Sequence, residues 1–199
     1  MMGGVFFRPW KGNNYEEGGL FQKRILILGE SHYQWERDIP LTENLTIECV
    51  EEQLSGTKTQ SFWTKIAIAF LHRAPSLQDK RQFWHGVAFY NYVQCNVGFG
   101  PRIPPTREMW ERSEVGFMEV LQALAPECVI VLGYQLWARL PSLGGHKGAD
   151  IEGAKQTETW RYPLGNGREV VAYAILHPSS GGFSGAYWHP FIMRAIEMA

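Results

Sequence analysis

Glu30, Ser31, His32 and Tyr33 stand side by side directly after four apolar residues, Ile25 to Leu28, and one glycine, Gly29. A carboxylate, a hydroxyl, an imidazole and a phenol in one short stretch can trade protons, make hydrogen bonds or supply a nucleophile. Two further places carry such groups behind apolar runs. Asn91 follows VAFY, and His177, Pro178, Ser179 and Ser180 follow EVVAYAIL. Ser31 or Ser179 with a nearby histidine would make a nucleophile and base pair for a small-molecule hydrolase, but no G-x-S-x-G elbow and no evident acidic partner accompany them. The plainer use of these residues is structural, since Ser and Glu cap helices and Asn forms turns at strand ends.

The elements that position these groups follow from the apolar pattern. Four consecutive apolar residues with no polar alternation suit a strand buried on both faces, as in a parallel sheet, and Gly29 permits a sharp exit. Val87 to Val93 reads as a strand up to about Tyr90, Cys128 to Leu132 as a third buried strand, and Glu158 to Tyr162 with Glu169 to Leu176 as a hairpin through Gly165-Asn166-Gly167. Helices are expected over Ile47 to Leu54, from Ser61 with Phe62, Ile66, Ala69, Phe70 and Arg73 in helical spacing, after Thr106 with Phe117, Val120, Leu121 and Leu124 on one face, over Gly133 to Leu140, and from Ala186 to Ala199. Residues 1–23 read as an irregular arm, Gln34 to Thr46 and Asn96 to Pro105 as loops. The alternation predicts one α/β domain over residues 1–199, a three-layer αβα sandwich around a mainly parallel sheet of about four strands. Parallel strands bring Gly29 to Tyr33, Asn91 and His177 to Ser180 to one sheet edge, where open α/β sheets collect ligands.

Composition narrows the classes. The chain of 199 residues is 45% hydrophobic, has a formal charge of -1 and contains no apolar run long enough to span a membrane. Its first residues lack the basic-then-apolar order of a signal peptide, so a cytoplasmic protein without membrane attachment is expected. Three scattered cysteines, Cys49, Cys95 and Cys128, assemble neither a disulfide framework nor a metal knuckle. The near-neutral charge neither favours nor excludes nucleic acid. Most of the eight tryptophans read as packing, with a minority available to stack on a planar ligand.

Taken in order, three segments resemble the motifs of the uracil-DNA glycosylase superfamily. There the first strand ends in GQDPY or GEAPG, the second carries an Asn before a V-x-C-like element, and a late strand ends in HPS or HPA. The matching residues here are Gly29-Glu30-Ser31-His32-Tyr33, Asn91-Tyr92-Val93-Gln94-Cys95 and His177-Pro178-Ser179-Ser180, and Pro126 to Gly133 is similar to the strand between the last two motifs. The likeness spans most of residues 24–190.

The resemblance implies hydrolysis of the N-glycosidic bond of uracil or another deaminated base in DNA, single- or double-stranded, with the base flipped into a pocket and water adding to the sugar. A monomer is expected, and the resemblance makes Glu30 the carboxylate that orients water and stabilises the cationic sugar, and His177 the donor to the departing base. Ser31 falls where GQDPY has its Asp, and it cannot supply that charge. Glu30 either faces the reacting bond or turns inward to backbone amides, as the Gln of GQDPY does. Asn91 would read a base edge, Tyr33 would bar a 5-methyl group, and Phe183 would be an apolar wedge; the alternatives are a strand-end turn, a packed rim aromatic and a loop anchor. Ser179 belongs to the same substrate-binding loop. His32 replaces the usual Pro and adds an imidazole, and Trp35 is the nearest substitute for the base-stacking ring. Of the cysteine ligands of the iron–sulfur branch only Cys95 has a counterpart, with Ser113 near where another would fall, so no cluster, cofactor or metal is expected. The competing readings are an inactive nucleic-acid or nucleotide binding module of the same fold, and the Ser/His hydrolase.

Overall fold

The computed structural model describes residues 3–34, 41–58, 60–100, 103–165 and 167–199. Its strands are β1 (Trp10–Lys11), β2 (Ile25–Gly29), β3 (His32–Gln34), β4 (Ala88–Asn91), β5 (Asn96–Phe99), β6 (Cys128–Leu132), β7 (His146–Lys147), β8 (Thr159–Gly165) and β9 (Arg168–Ile175). The helices are α1 (Leu45–Ser55), α2 (Ser61–Leu71), α3 (Leu77–His85), α4 (Arg107–Arg112), α5 (Glu114–Leu124), the single turn α6 (Tyr134–Trp137) and α7 (Gly185–Glu197).

Among the described residues seven strands form one mixed sheet in the order β1-β4-β2-β6-β9-β8-β7. Its centre, β4-β2-β6-β9, is parallel throughout, and β1, β8 and β7 add antiparallel edges. The expected sheet of about four mainly parallel strands is therefore the middle of a wider one. The sequence hid the edges because β1 and β7 are two residues each, too short to show a period.

Alternation along β2 explains its unbroken apolar run. Ile25 and Ile27 join a core with α1, α2, α3 and α7, while Leu26 and Leu28 join a second core with α4, α5 and α6 on the opposite face. All four are fully buried, each stabilising the fold by roughly 1.5–3 kcal/mol. A strand sandwiched this way has no room for a polar face.

Several local expectations change. Helix α3 precedes β4 in a stretch for which no helix was expected, although its capping box, Ser76 with Asp79, is present in the sequence as S-x-x-D. The helix after Thr106 is divided at Ser113, whose Oγ donates to the Met109 carbonyl at 2.7 Å and whose backbone ends α4 and begins α5. Asn96–Phe99, read as loop, is a short strand because β3 pairs with it in parallel as a separate two-stranded ribbon. Gln34 belongs to that ribbon and Leu45 and Thr46 to α1, while residues 35–40 of the expected 34–46 loop lie outside the described residues. The arm is not wholly irregular either, since β1 pairs with β4. Among the described residues no helix is long and apolar enough to cross a membrane.

Candidate functional site

Strand register aligns the chemistry. Gly29 is level with Asn91, Leu28 with Val131, and Leu132 with Ile175, so β4, β2, β6 and β9 all end along one edge. Asn91, Glu30 and His177 leave from that edge. Glu30 and His177 follow strands on either side of β6, two inter-strand spacings or about 10 Å apart at the strand axes.

Past Gly29 the chain stays tied to the segment after β4. Tyr92 N–H donates to the Gly29 carbonyl at 2.9 Å and Val93 N–H to the Glu30 carbonyl at 2.8 Å. These bonds fix the Glu30 backbone. Its side chain is half-buried, and no described residue hydrogen-bonds or ion-pairs with the carboxylate. Burial raises its pKa above the ordinary carboxyl value. The inward arrangement, with Glu30 bonded to backbone amides, is not seen among the described residues.

Asn91 and His32 are brought together inside the fold. Asn91 is 7% exposed and His32 8%. Asn91 Nδ2 lies 3.0 Å from His32 Nε2, and Thr46 Oγ1 on α1 lies 2.9 Å from the same nitrogen. With the amide placed this way, Asn91 donates and the ring nitrogen accepts, which requires a neutral imidazole. Burial secures that state by pulling the His32 pKa down to about 4. Phe7 of the arm packs edge-on against the ring, centroids 4.8 Å apart. The Asn91 amide also covers Gly29, where a Cβ would collide with Asn91 Oδ1. The ring of His32, expected to contact substrate, is engaged here with Asn91, Thr46 and Phe7. Tyr33, next along β3, is 37% exposed at the rim.

His177 is held by a different set. Ser179 N–H donates to His177 Nδ1 at 3.1 Å, so the neutral ring carries its proton on Nε2. Burial lowers the pKa of this half-buried imidazole, which favours the neutral donor. Gly133, at φ 116°, lies under His177. Ser180 N–H returns to the His177 carbonyl at 2.9 Å, and Lys65 Nζ on α2 donates to the Pro178 carbonyl at 2.9 Å. Phe62, also on α2, sets its ring 5.6 Å from the imidazole at 32°. Phe183 is half-buried against the α2 and α7 core, the contact of a loop anchor, and Ser179 is exposed.

Ser31 is half-buried, and among the described residues no hydrogen bond joins it to His177. Trp35 lies outside the described residues. Phe62, Lys65 and Gln94 are site neighbours that sequence reasoning missed. Phe62 and Lys65 were legible as helix residues, but nothing in their spacing says that α2 meets the His177 loop. Among the described residues no group of three His, Cys, Asp or Glu side chains is placed to hold a metal ion, and Cys95 is a free thiol.

Two cavities lie elsewhere. One of about 270 Å³ is lined by Trp137, Trp160 and Tyr162 with Lys147 and Glu158 among others, and one of about 420 Å³ by Asp150, Arg194 and Glu197 among others. Neither is lined by Glu30, Asn91 or His177. The strand-exit edge is the better candidate because a half-buried carboxylate with no partner among the described residues, a tautomer-fixed imidazole and an amide follow strands that end there, whereas Lys147 beside the first cavity pairs with Asp150 at 3.1 Å and lies 3.9 Å from Glu158. No family model and no curated protein sequence matches the chain.

Proposed function

We propose that the chain is a uracil-DNA glycosylase-like hydrolase that cleaves the N-glycosidic bond of uracil or another deaminated base in DNA. The observation that carries this reading is the pairing of opposite tasks at one sheet edge. Glu30 offers a carboxylate without a described protein partner, and His177 offers an Nε2–H fixed by the Ser179 amide. The parallel β4-β2-β6-β9 centre, with helices on both faces and motif residues at three of its exits, also agrees with the three-layer fold of that superfamily.

In this mechanism a nucleotide spans the gap between the β2 and β9 exits. The bond from C1′ to the base nitrogen breaks, and its electron pair leaves with the base. His177 Nε2–H donates to the oxygen on which that negative charge collects. Ionised Glu30 stabilises the positive sugar, orients water toward C1′ and accepts its proton as the new C–O bond forms. Asn91, with one amide N–H given to His32, keeps a second N–H and a carbonyl for a base edge. Phe62 provides an aromatic wall beside His177. Tyr33 and Ser179 stand at the rim, exposed for contact with sugar or phosphate.

The test is incubation with single- and double-stranded oligonucleotides carrying uracil, hypoxanthine or xanthine, followed by alkali to break abasic sites. Scission with at least one base is expected. Tight binding without scission across the panel would instead favour a binding module of the same fold.

A further inference from the structure

We propose that Gln94 is a positioning residue that latches the N-terminal arm over His32 and thereby sets which way the Asn91 amide faces. The inference rests on the reading of Asn91 as the group that meets a base edge, but its structural half stands without that reading.

One carboxamide makes three bonds here. Gln94 Oε1 accepts the Phe6 and Phe7 amides at 2.9 and 2.8 Å, and Nε2 donates to the Asn91 carbonyl at 2.6 Å. The Gln94 backbone is itself fixed, its N–H donating to the buried Ser113 Oγ at 3.0 Å. The arm is therefore tied to the end of β4 at the residue that carries the amide. It is anchored on either side as well: Gly3 and Gly4 amides donate to Glu119 of α5, and Arg8 N–H donates to the Glu43 carbonyl just before α1.

What the latch holds in place is Phe7, fully buried and edge-on to His32. Among the described residues, Phe7 from the arm, Thr46 from α1 and Asn91 from β4 contact the imidazole, and none of these three carries charge. Among flanking residues, Arg8 and Glu43 pair with each other at 2.9 Å, and Glu30 lies two residues upstream. Water is kept from the ring by packing, so the ring stays neutral and accepts from Asn91 Nδ2. An imidazolium has a proton on both nitrogens and cannot accept. If the arm lifts and His32 gains a proton, the Asn91 amide must turn its oxygen toward the ring or lose the bond. Either outcome changes the donor and acceptor order offered to a base. Uracil presents an acceptor where cytosine presents a donor, so the amide orientation discriminates between them.

The experiment follows the His32 ring by NMR in full-length protein labelled at histidine, its signals assigned with His32→Asn, alongside Gln94→Ala and Phe7→Ala. In the unsubstituted chain His32 is expected to titrate near pH 4, with the Phe6 and Phe7 amides protected from exchange. In both variants the midpoint is expected to move toward the ordinary imidazole value of 6.5. Below the new midpoint, discrimination of uracil from cytosine in oligonucleotides should fall by about tenfold or more. Unchanged His32 titration in both variants overturns the proposal. So do freely exchanging Phe6 and Phe7 amides in the unsubstituted chain, a measurement that needs no variant to fold. If the unsubstituted chain releases no base at all, the glycosidic reading fails, while titration and exchange still decide the latch.

Discussion

The Ser179 amide donates to His177 Nδ1 at 3.1 Å, and this one bond decides which nitrogen of the neutral imidazole carries the proton. His177 is thereby a neutral donor at neutral pH, its pKa lowered by burial. Removing it should slow base release about 10²–10³-fold, the usual cost of losing one donor to a developing anion. His177→Gln, which keeps an N–H, should lose less than His177→Ala. Single-turnover rates on one uracil-containing strand compare the two, and equal losses would argue against a donor role.

Glu30 carries a cost that its neighbours do not relieve. Burial raises its pKa above the ordinary 4.5, so its ionised form is disfavoured in the folded protein. Stability is then greatest below the unfolded value and declines as pH rises through the folded one. Glu30→Gln should be more stable than the unsubstituted chain at pH 7 and should lose that advantage in acid. Thermal melts at pH 7 and pH 4 measure the difference. Because the mechanism needs the carboxylate ionised, base release should fall as pH drops through the raised value, giving an acid limb above 4.5.

His32 runs in the opposite direction. Its pKa falls from 6.5 to about 4 on folding, so the unfolded chain binds more protons between those values. The associated stability is full above pH 6.5 and is lost as pH falls toward 4. At 1.36 kcal/mol per pH unit the loss approaches about 3 kcal/mol. Urea denaturation across that range should show the decline, and His32→Asn should flatten it. A slope unaffected by the substitution would mean that the ring is not buried as described.

Gly29 is set by the residue facing it across the sheet. A Cβ there would strike the Asn91 amide oxygen, so Gly29→Ala should destabilise by about 1–3 kcal/mol and displace Asn91 from His32. The His32 titration should move in the same variant. A shift in the urea midpoint at constant slope, together with a raised His32 midpoint, is the expected pair of results.

Much of this arrangement was legible in the sequence because apolar runs that end in Gly29, Asn91 and His177 announce where buried parallel strands stop. The reach of α2 to the His177 loop was not legible, since Phe62 looks like any residue on an amphipathic helix until packing aims it at an imidazole. Nor was the inward turn of His32. Its neighbours in sequence are polar, and it meets Phe7, Thr46 and Asn91, residues 25, 14 and 59 positions away in the chain. The two-residue strands β1 and β7 escaped for a simpler reason, being pairings imposed by β4 and β8 rather than patterns of their own.

The most direct measurement of the central claim is release of free base from a uracil-containing single strand, followed chromatographically for the unsubstituted chain and for Glu30→Gln. The account predicts free uracil and an abasic strand in equal amounts, with the rate reduced about 10²-fold or more in the variant. Equal release by both proteins, or none by the unsubstituted chain with uracil, hypoxanthine or xanthine, would contradict it.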